Sequence, residues 1–286
     1  MAADSLTDFS LSPYCKLLAP RGRPRVLALV FSPIDDGAGR FSLGRAFREV
    51  GVHTLLLNVP QRSYYLQGIP GLGGDLDECV ANLRRIIATI EAPEVVAVGL
   101  SMGGYGAVLF GAMLGVQRVL SMAGETLLLL PGSRSRRNIG NRFAPAYPDL
   151  RPQIEAATTT RFHFLCGEQD LVDLYSAWRV RDLPNVGVHT VRNGSHEIAR
   201  WLAQRGALEP FLSAFVEGGE IKEDLLDAGK AMTAETAVAD LFEAQNAFLK
   251  RDLEGSLRLA EKAATALPDV ALAQFQFGQA LERLGR

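Results

Sequence analysis

The sequence predicts an α/β protein, a mostly parallel, doubly wound sheet followed by a small all-helical tail. Three observations carry that expectation. Between residues 26 and 204, short apolar runs alternate with helical stretches, as expected of parallel strands joined by right-handed crossovers. Several runs are apolar at nearly every position, as strands covered on both faces must be. Beyond Glu235 no strand signal remains, only helical periodicity.

The predicted strands are Val26–Phe31, His53–Val59, Val95–Leu100, Val119–Met122, Phe162–Cys166 and Val186–Val191. The predicted helices between them are Leu43–Val50, Leu76–Ile90, Met102–Leu114, Leu171–Arg181 and Glu197–Gln204. The second helix is the clearest. Leu76, Cys79, Val80, Leu83, Ile87 and Ile90 share one face, and Asp75 with Glu78 suits an N-terminal cap. Val95–Val116 has no charged residue and is long enough to cross a bilayer. Its six glycines and its break at Ser101 favour a buried strand, turn and helix instead.

Lysine and arginine (30) nearly balance aspartate and glutamate (32), for a formal net charge of −2. That argues against general nucleic-acid binding, which needs a basic excess. The cysteines Cys15, Cys79 and Cys166 are too few and too widely spaced for a disulfide framework or a zinc site. No basic run followed by an apolar core opens the chain, so no signal peptide is expected, and a cytoplasmic location is.

Three segments are expected: a body (1–216), an acidic solvated connector (217–234) and a helical tail (235–286). Within the tail, Ala237 and Ala271, Ala244 and Gly278, and Arg251 and Gly285 stand 34 residues apart, with Ala263 and Pro268 placed for a second helix and its stop. The tail resembles a tetratricopeptide repeat. It departs from that pattern at Ser256 and Ala247. One unit and a half rarely bury a core alone, so the tail is expected to pack on the body, pair with another chain or begin a longer array.

The strongest chemical signal is Gly99-Leu100-Ser101-Met102-Gly103, at the predicted junction of strand and helix. A serine on a strained turn projects its hydroxyl from the sheet edge, and side chains two residues either side would collide with the turn. The following helix N-terminus aims free N–H groups at the same point. Here residues 24–214 resemble the α/β-hydrolase superfamily, which implies a sheet of that type, a Ser101 nucleophile, and an acid and then a histidine later in the chain. His53, His163 and His189 fall inside predicted strands, whereas His196 lies in the loop Asn193-Gly194-Ser195-His196, where the superfamily places its base. The acid is implied after Phe162–Cys166, in Gly167-Glu168-Gln169-Asp170, with Asp170 preferred and Asp173 the alternative. The resemblance also implies two oxyanion donors. One is the N–H of Met102. The other comes from Phe31-Ser32-Pro33, where Pro33 has none, so Ser32 is expected and Phe31 next.

The segment Ala123–Thr160 is too short for a large lid and holds Arg134, Arg136, Arg137, Arg142 and Arg151. The first three are a potential rim for anionic substrates, against the plainer reading of a solvated loop. A narrower resemblance rests on residues 62–68, 99–111 and 202–208. It is to bacterial hydrolase-fold proteins that accompany surface-glycan functions, and Tyr64 and Tyr65 would then either stack on a sugar or simply pack. The expected activity is cleavage of an ester or thioester, of a carbohydrate or another small polar molecule, through an acyl-enzyme. No metal or organic cofactor is expected, and the tail would dock a partner protein or a second copy. A catalytically silent scaffold and an acyltransferase using the same triad remain alternatives.

Overall fold

The computed structural model describes residues 7–60, 62–218 and 221–286. Its strands are β1 (Thr7–Ser12), β2 (Cys15–Ala19), β3 (Val26–Phe31), β4 (His53–Leu57), β5 (Glu94–Leu100), β6 (Arg118–Met122), β7 (Arg161–Gly167) and β8 (Val186–Val191). The helices of the body are α1 (Gly44–Val50), α2 (Leu76–Ile90), α3 (Met102–Leu114), α4 (Arg134–Asn138), α5 (Arg151–Ala156), α6 (Leu171–Trp178), α7 (Ile198–Gln204) and α8 (Leu208–Val216). The tail adds α9 (Ala237–Leu249), α10 (Leu253–Ala266) and α11 (Ala271–Arg283).

One eight-stranded sheet has the order β1-β2-β4-β3-β5-β6-β7-β8. From β4 to β8 every neighbouring pair is parallel, while β2 runs antiparallel to both β1 and β4. The six strands expected from apolar runs all form. β1 and β2 were not legible: β2 fully buries only Cys15 and Leu18, with Lys16 between them, and Leu11 at this edge is 51% exposed.

β3 shows why the sheet is covered on both faces. Leu27, Leu29 and Phe31 point into one core with residues of α2 and α3, while Val26, Ala28 and Val30 point into another with residues of α1, α7 and α8. All six are buried, and each large apolar side chain so removed from water contributes about 1.5–3 kcal/mol. α2 starts as its capping pattern predicts: Asp75 accepts from the Glu78 N–H at 2.8 Å, and Glu78 reaches back to the Gly74 N–H at 2.9 Å. The uncharged stretch 95–116 is β5, the Ser101 turn and α3, and among the described residues no helix is long and apolar enough to cross a membrane.

Within the expected solvated connector, whose Glu223, Asp224 and Asp227 are exposed, the segment 227–231 also runs along the β8 edge as a strap. Arg192 N–H donates to Asp227 O, Gly229 N–H to Thr190 O, and Ala228 bridges Val191. Pairing of this kind protects an otherwise open sheet edge. The buried Glu168 carboxylate ties the strap down by accepting the Lys230 and Ala231 N–H groups.

The tail packs on the body through α6. Tyr175 stacks on Phe242 with centroids 3.9 Å apart, and the Trp178 indole donates to Glu235 O at 2.9 Å. Within the tail, α10 packs against α9 and α11. Ala244 and Ala263 are buried as close contacts between helices require. Gly278 is not: a Cβ there would meet open space, so close approach does not explain it.

Candidate active site

Ser101 sits between β5 and α3 at φ 56° and ψ −117°, a region unfavourable to a residue with a side chain. The neighbouring glycines make the turn possible. A Cβ on Gly99 would overlap the Gly103 carbonyl, and one on Gly103 would overlap the Phe31 carbonyl and lie 2.8 Å from Ser32 O. The strand-to-helix turn is thus wedged against the loop that leaves β3. The Ser101 N–H donates to Met122 O at 2.8 Å, which pins the turn to β6.

The Ser101 hydroxyl lies 2.8 Å from His196 Nε2, and His196 Nδ1 lies 2.8 Å from Asp173 Oδ2. His196 comes from the loop between β8 and α7, which reaches the site because Gly167 and Gly194 are in backbone contact. A Cβ on Gly167 would overlap Gly194, and Gln169 N–H donates to Gly194 O at 2.8 Å. The glycine at 194 therefore serves close approach. The left-handed residue of this loop is its neighbour Asn193, at φ 55°.

The acid facing the imidazole is Asp173, which corrects the preference for Asp170. Asp170 is the N-cap of α6: its Oδ1 accepts from the Asp173 N–H at 3.1 Å, and its Oδ2 takes Arg134 Nη2 at 2.9 Å. One turn into α6, the Asp173 side chain is fully buried and aims back at His196. Helix geometry decides between the two, because residues three apart lie on one face but at different depths. Burial pushes the Asp173 carboxyl up to about 6; its hydrogen bond to His196 pulls the other way and the nearby Asp170 adds to the rise. Its Oδ1 has no hydrogen-bond partner, and Arg134 Nη1 stands 3.9 Å from it.

Donor atoms of Asp170, Asp173 and His196 lie within 4.8 Å of one another, close enough to suggest a metal site. The Arg134 guanidinium already stands among them, 2.9 Å from Asp170 Oδ2 and 3.9 Å from Asp173 Oδ1. Buried Glu125 fixes α4, and so Arg134, by accepting both the N–H and the hydroxyl of Ser135.

The Met102 N–H opens α3, has no intrahelical acceptor, and none among the described residues takes it. Ser32 does not supply the second donor as expected: its N–H is held by Leu57 O at 2.9 Å. The next N–H along the loop, past Pro33, belongs to Ile34, and no acceptor among the described residues takes it. The bond that occupies the Ser32 N–H comes from β4, a partner distant in the chain that residue order does not reveal. Tyr64 and Tyr65 are buried and unavailable to a sugar; the Tyr65 hydroxyl braces the loop, 2.9 Å from Ser32 O.

The expected arginine rim also changes. Arg134 is bound to the acids, and Arg137 donates to Gly132 O at 2.8 Å. Arg134 and Arg137 line a cleft with Phe242, Leu249 and Phe275 of the tail, and among the described residues the Arg136 guanidinium reaches only Leu129 O, at 3.5 Å. The other histidines are away from the serine. His163 and His189 stack on β7 and β8, and burial, with His189 beside it, lowers His163 to about 4.

Comparison with solved structures bears on the architecture. The 2,6-dihydroxy-pseudo-oxynicotine hydrolase superposes with a TM-score of 0.53 at 13% identity, over 77% of this chain and 70% of that one. The capsule O-acetyltransferase of Neisseria meningitidis serogroup A gives 0.50 at 16% identity, over 74% and 94%. This chain has the α/β-hydrolase fold. TT1662 from Thermus thermophilus shares that fold with it, at a TM-score of 0.50 and 14% identity over 73% and 98%. No family model matches the sequence, and no curated protein matches it either. At these identities the likeness speaks for the α/β-hydrolase fold alone, and the chemistry must be read from the site.

Proposed function

We propose that the protein is a serine esterase that cleaves an ester or thioester of a small polar molecule through an acyl-enzyme. The observation that carries this reading is the unbroken hydrogen-bonded chain Ser101–His196–Asp173, with 2.8 Å at each link. His196 Nε2 takes the Ser101 proton as Oγ bonds to the acyl carbon and the carbonyl π pair moves to oxygen. Asp173 holds the imidazole in the tautomer with hydrogen on Nδ1 and stabilises the imidazolium. The Met102 and Ile34 N–H groups are the donors suited to the tetrahedral oxygen. His196 then protonates the leaving group, and water, activated by the same imidazole, releases the acyl group. A silent scaffold has no use for a strained serine and an aligned imidazole, so the geometry favours the enzyme. The tail, with its tetratricopeptide-like spacing, would recruit a protein partner or a second copy.

A fluorophosphonate probe tests the reading directly. Wild-type protein should be labelled on Ser101 and the Ser101→Ala variant should not. A folded wild type that hydrolyses no p-nitrophenyl ester and resists the probe would defeat it. Adding alcohols or sugars and analysing products tells water from another acyl acceptor.

The pH dependence follows from Asp173. The ordinary carboxyl value is 3.8 and the folded value is about 6, so the folded protein retains this proton where the unfolded chain has lost it. A protonated carboxyl cannot stabilise an imidazolium. The rate of Ser101 labelling should therefore fall as pH drops through about 6, with the stability contribution of this group running the other way, present at low pH and lost as pH rises through 6.

A further inference from the structure

The rim expected at Arg134–Arg137 is largely spoken for, yet three other arginines stand around a second cleft. That cleft, of about 330 Å³, is lined by Ile34, Asp35, Asp36, Gly37, Arg40, Arg62 and Arg142. It includes Ile34, whose N–H no acceptor among the described residues takes, in the loop that leaves β3 beside the Ser101 turn. Its volume is at the low end of small-molecule sites, about 300–1,000 Å³, which suits a compact headgroup.

The guanidinium groups of Arg40, Arg62 and Arg142 have no hydrogen-bond or ion-pair partner among the described residues. Arg118, Arg134, Arg151 and Arg179 each pair with a carboxylate at 2.6–2.9 Å. The cleft does contain two acids. Asp36 is already engaged, its two oxygens accepting from the Ser42 N–H at 2.6 Å and the Ser42 hydroxyl at 2.5 Å. Asp35 is exposed and makes no ion pair among the described residues. Three cations therefore face two acids, one of them engaged, and the cleft has donors to spare.

The three arginines come from separate parts of the chain: the loop after β3, the loop after β4, and the segment between α4 and α5. Arg62 is held at φ 63° and is followed by Tyr64 at 52° and Tyr65 at 62°. Both tyrosines are buried, so packing holds this backbone in the left-handed region. Such strain persists only where the surroundings enforce it, and it gathers at ligand sites.

We propose that this cleft binds an oxyanion group, phosphate or carboxylate, carried by the substrate, so that the enzyme selects an anionic ester whose scissile carbonyl lies at Ser101. The guanidinium fork matches such groups in two-point hydrogen bonds. This rests on the esterase reading and names the substrate class for it.

Matched esters test it: one neutral, one bearing a phosphate and one bearing a carboxylate on the same scaffold. Wild type should prefer at least one anionic ester in kcat/KM by about tenfold or more, with the preference shrinking as salt screens the charges. Arg62→Ala and Arg142→Ala should each lower the anionic-to-neutral ratio roughly tenfold, the loss expected for one charge-assisted contact. Arg136→Ala, outside the cleft, should leave that ratio at its wild-type value. The phosphate and carboxylate arms tell which oxyanion is preferred. A wild type with no preference, or a ratio unchanged in both cleft variants, overturns the proposal.

Calorimetry with inorganic pyrophosphate separates this from the Ser101 chemistry. Binding that weakens in Arg62→Ala and Arg142→Ala supports the cleft even if Ser101 proves inert. Active Ser101 with no anion preference and no pyrophosphate binding rejects the cleft alone. All three arginines are exposed, so their loss should leave the melting temperature close to wild type.

Discussion

Asp173→Asn should lower kcat on a p-nitrophenyl ester by three to four orders of magnitude, whereas Asp170→Asn should cost less than about tenfold. An asparagine at 173 keeps the shape but can present its NH₂ to His196 Nδ1, which favours the wrong tautomer, and it removes the charge that supports the imidazolium. Asp170 touches Arg134 and the α6 backbone and makes no hydrogen bond to the imidazole. Its loss removes a negative neighbour of Asp173, so the acid limb of the rate profile should move to lower pH in Asp170→Asn. Stability should separate from activity in the other variant. A buried carboxyl held at about 6 disfavours its ionised form by about 3 kcal/mol relative to an ordinary aspartate. Asp173→Asn should therefore melt no lower than wild type at pH 8 while being nearly inactive. A large loss of activity in Asp170→Asn, with Asp173→Asn active, would reverse the assignment.

Gly103→Ala and Gly99→Ala should each destabilise the protein by about 3 kcal/mol or more, read as a fall in the denaturation midpoint or as insoluble expression. In both cases the new Cβ meets main chain, the Phe31 carbonyl for Gly103 and the Gly103 carbonyl for Gly99. Backbone cannot rotate aside as the end of a side chain can. Gly103→Ala has a second consequence if it folds at all. Relief of the overlap should move the β3 loop away from α3 and so part the proposed Ile34 and Met102 donors, and residual protein should label slowly with the fluorophosphonate. Gly278→Ala is the control: nothing lies near its Cβ, and alanine has the higher helix propensity, so it should be neutral or slightly stabilising. A stable and active Gly103→Ala would show that the wedge against the β3 loop is not required.

Much of this architecture was readable from residue order. β3 and β5 are apolar at almost every position because both faces are covered, and that pattern survives without knowledge of neighbours. The Ser101 turn was readable because its steric demands fall on residues two positions away, within a span that a motif can encode. β1 and β2 were not readable: β2 fully buries only Cys15 and Leu18 of its five residues, and its pairing depends on where β4 lies. The strap over β8 was hidden for the same reason, since its acidic residues face solvent while its backbone makes the contacts.

By itself the sequence determined the alternation that builds a doubly covered sheet, the elbow that exposes Ser101 and the loop that carries His196. Those depend on local periodicity and on short-range steric limits. Only the tertiary structure decided that Asp173 and not Asp170 meets the imidazole and, among the described residues, that Ile34 and not Ser32 keeps its N–H free and which arginines stand unpaired. Each of those outcomes turns on a partner distant in the chain: His196 for the acid, Leu57 for the amide, the paired carboxylates for the guanidinium groups. Hydrogen bonds and ion pairs are short in space but have no fixed spacing in sequence, so folding alone settles which of several chemically suitable residues is left available.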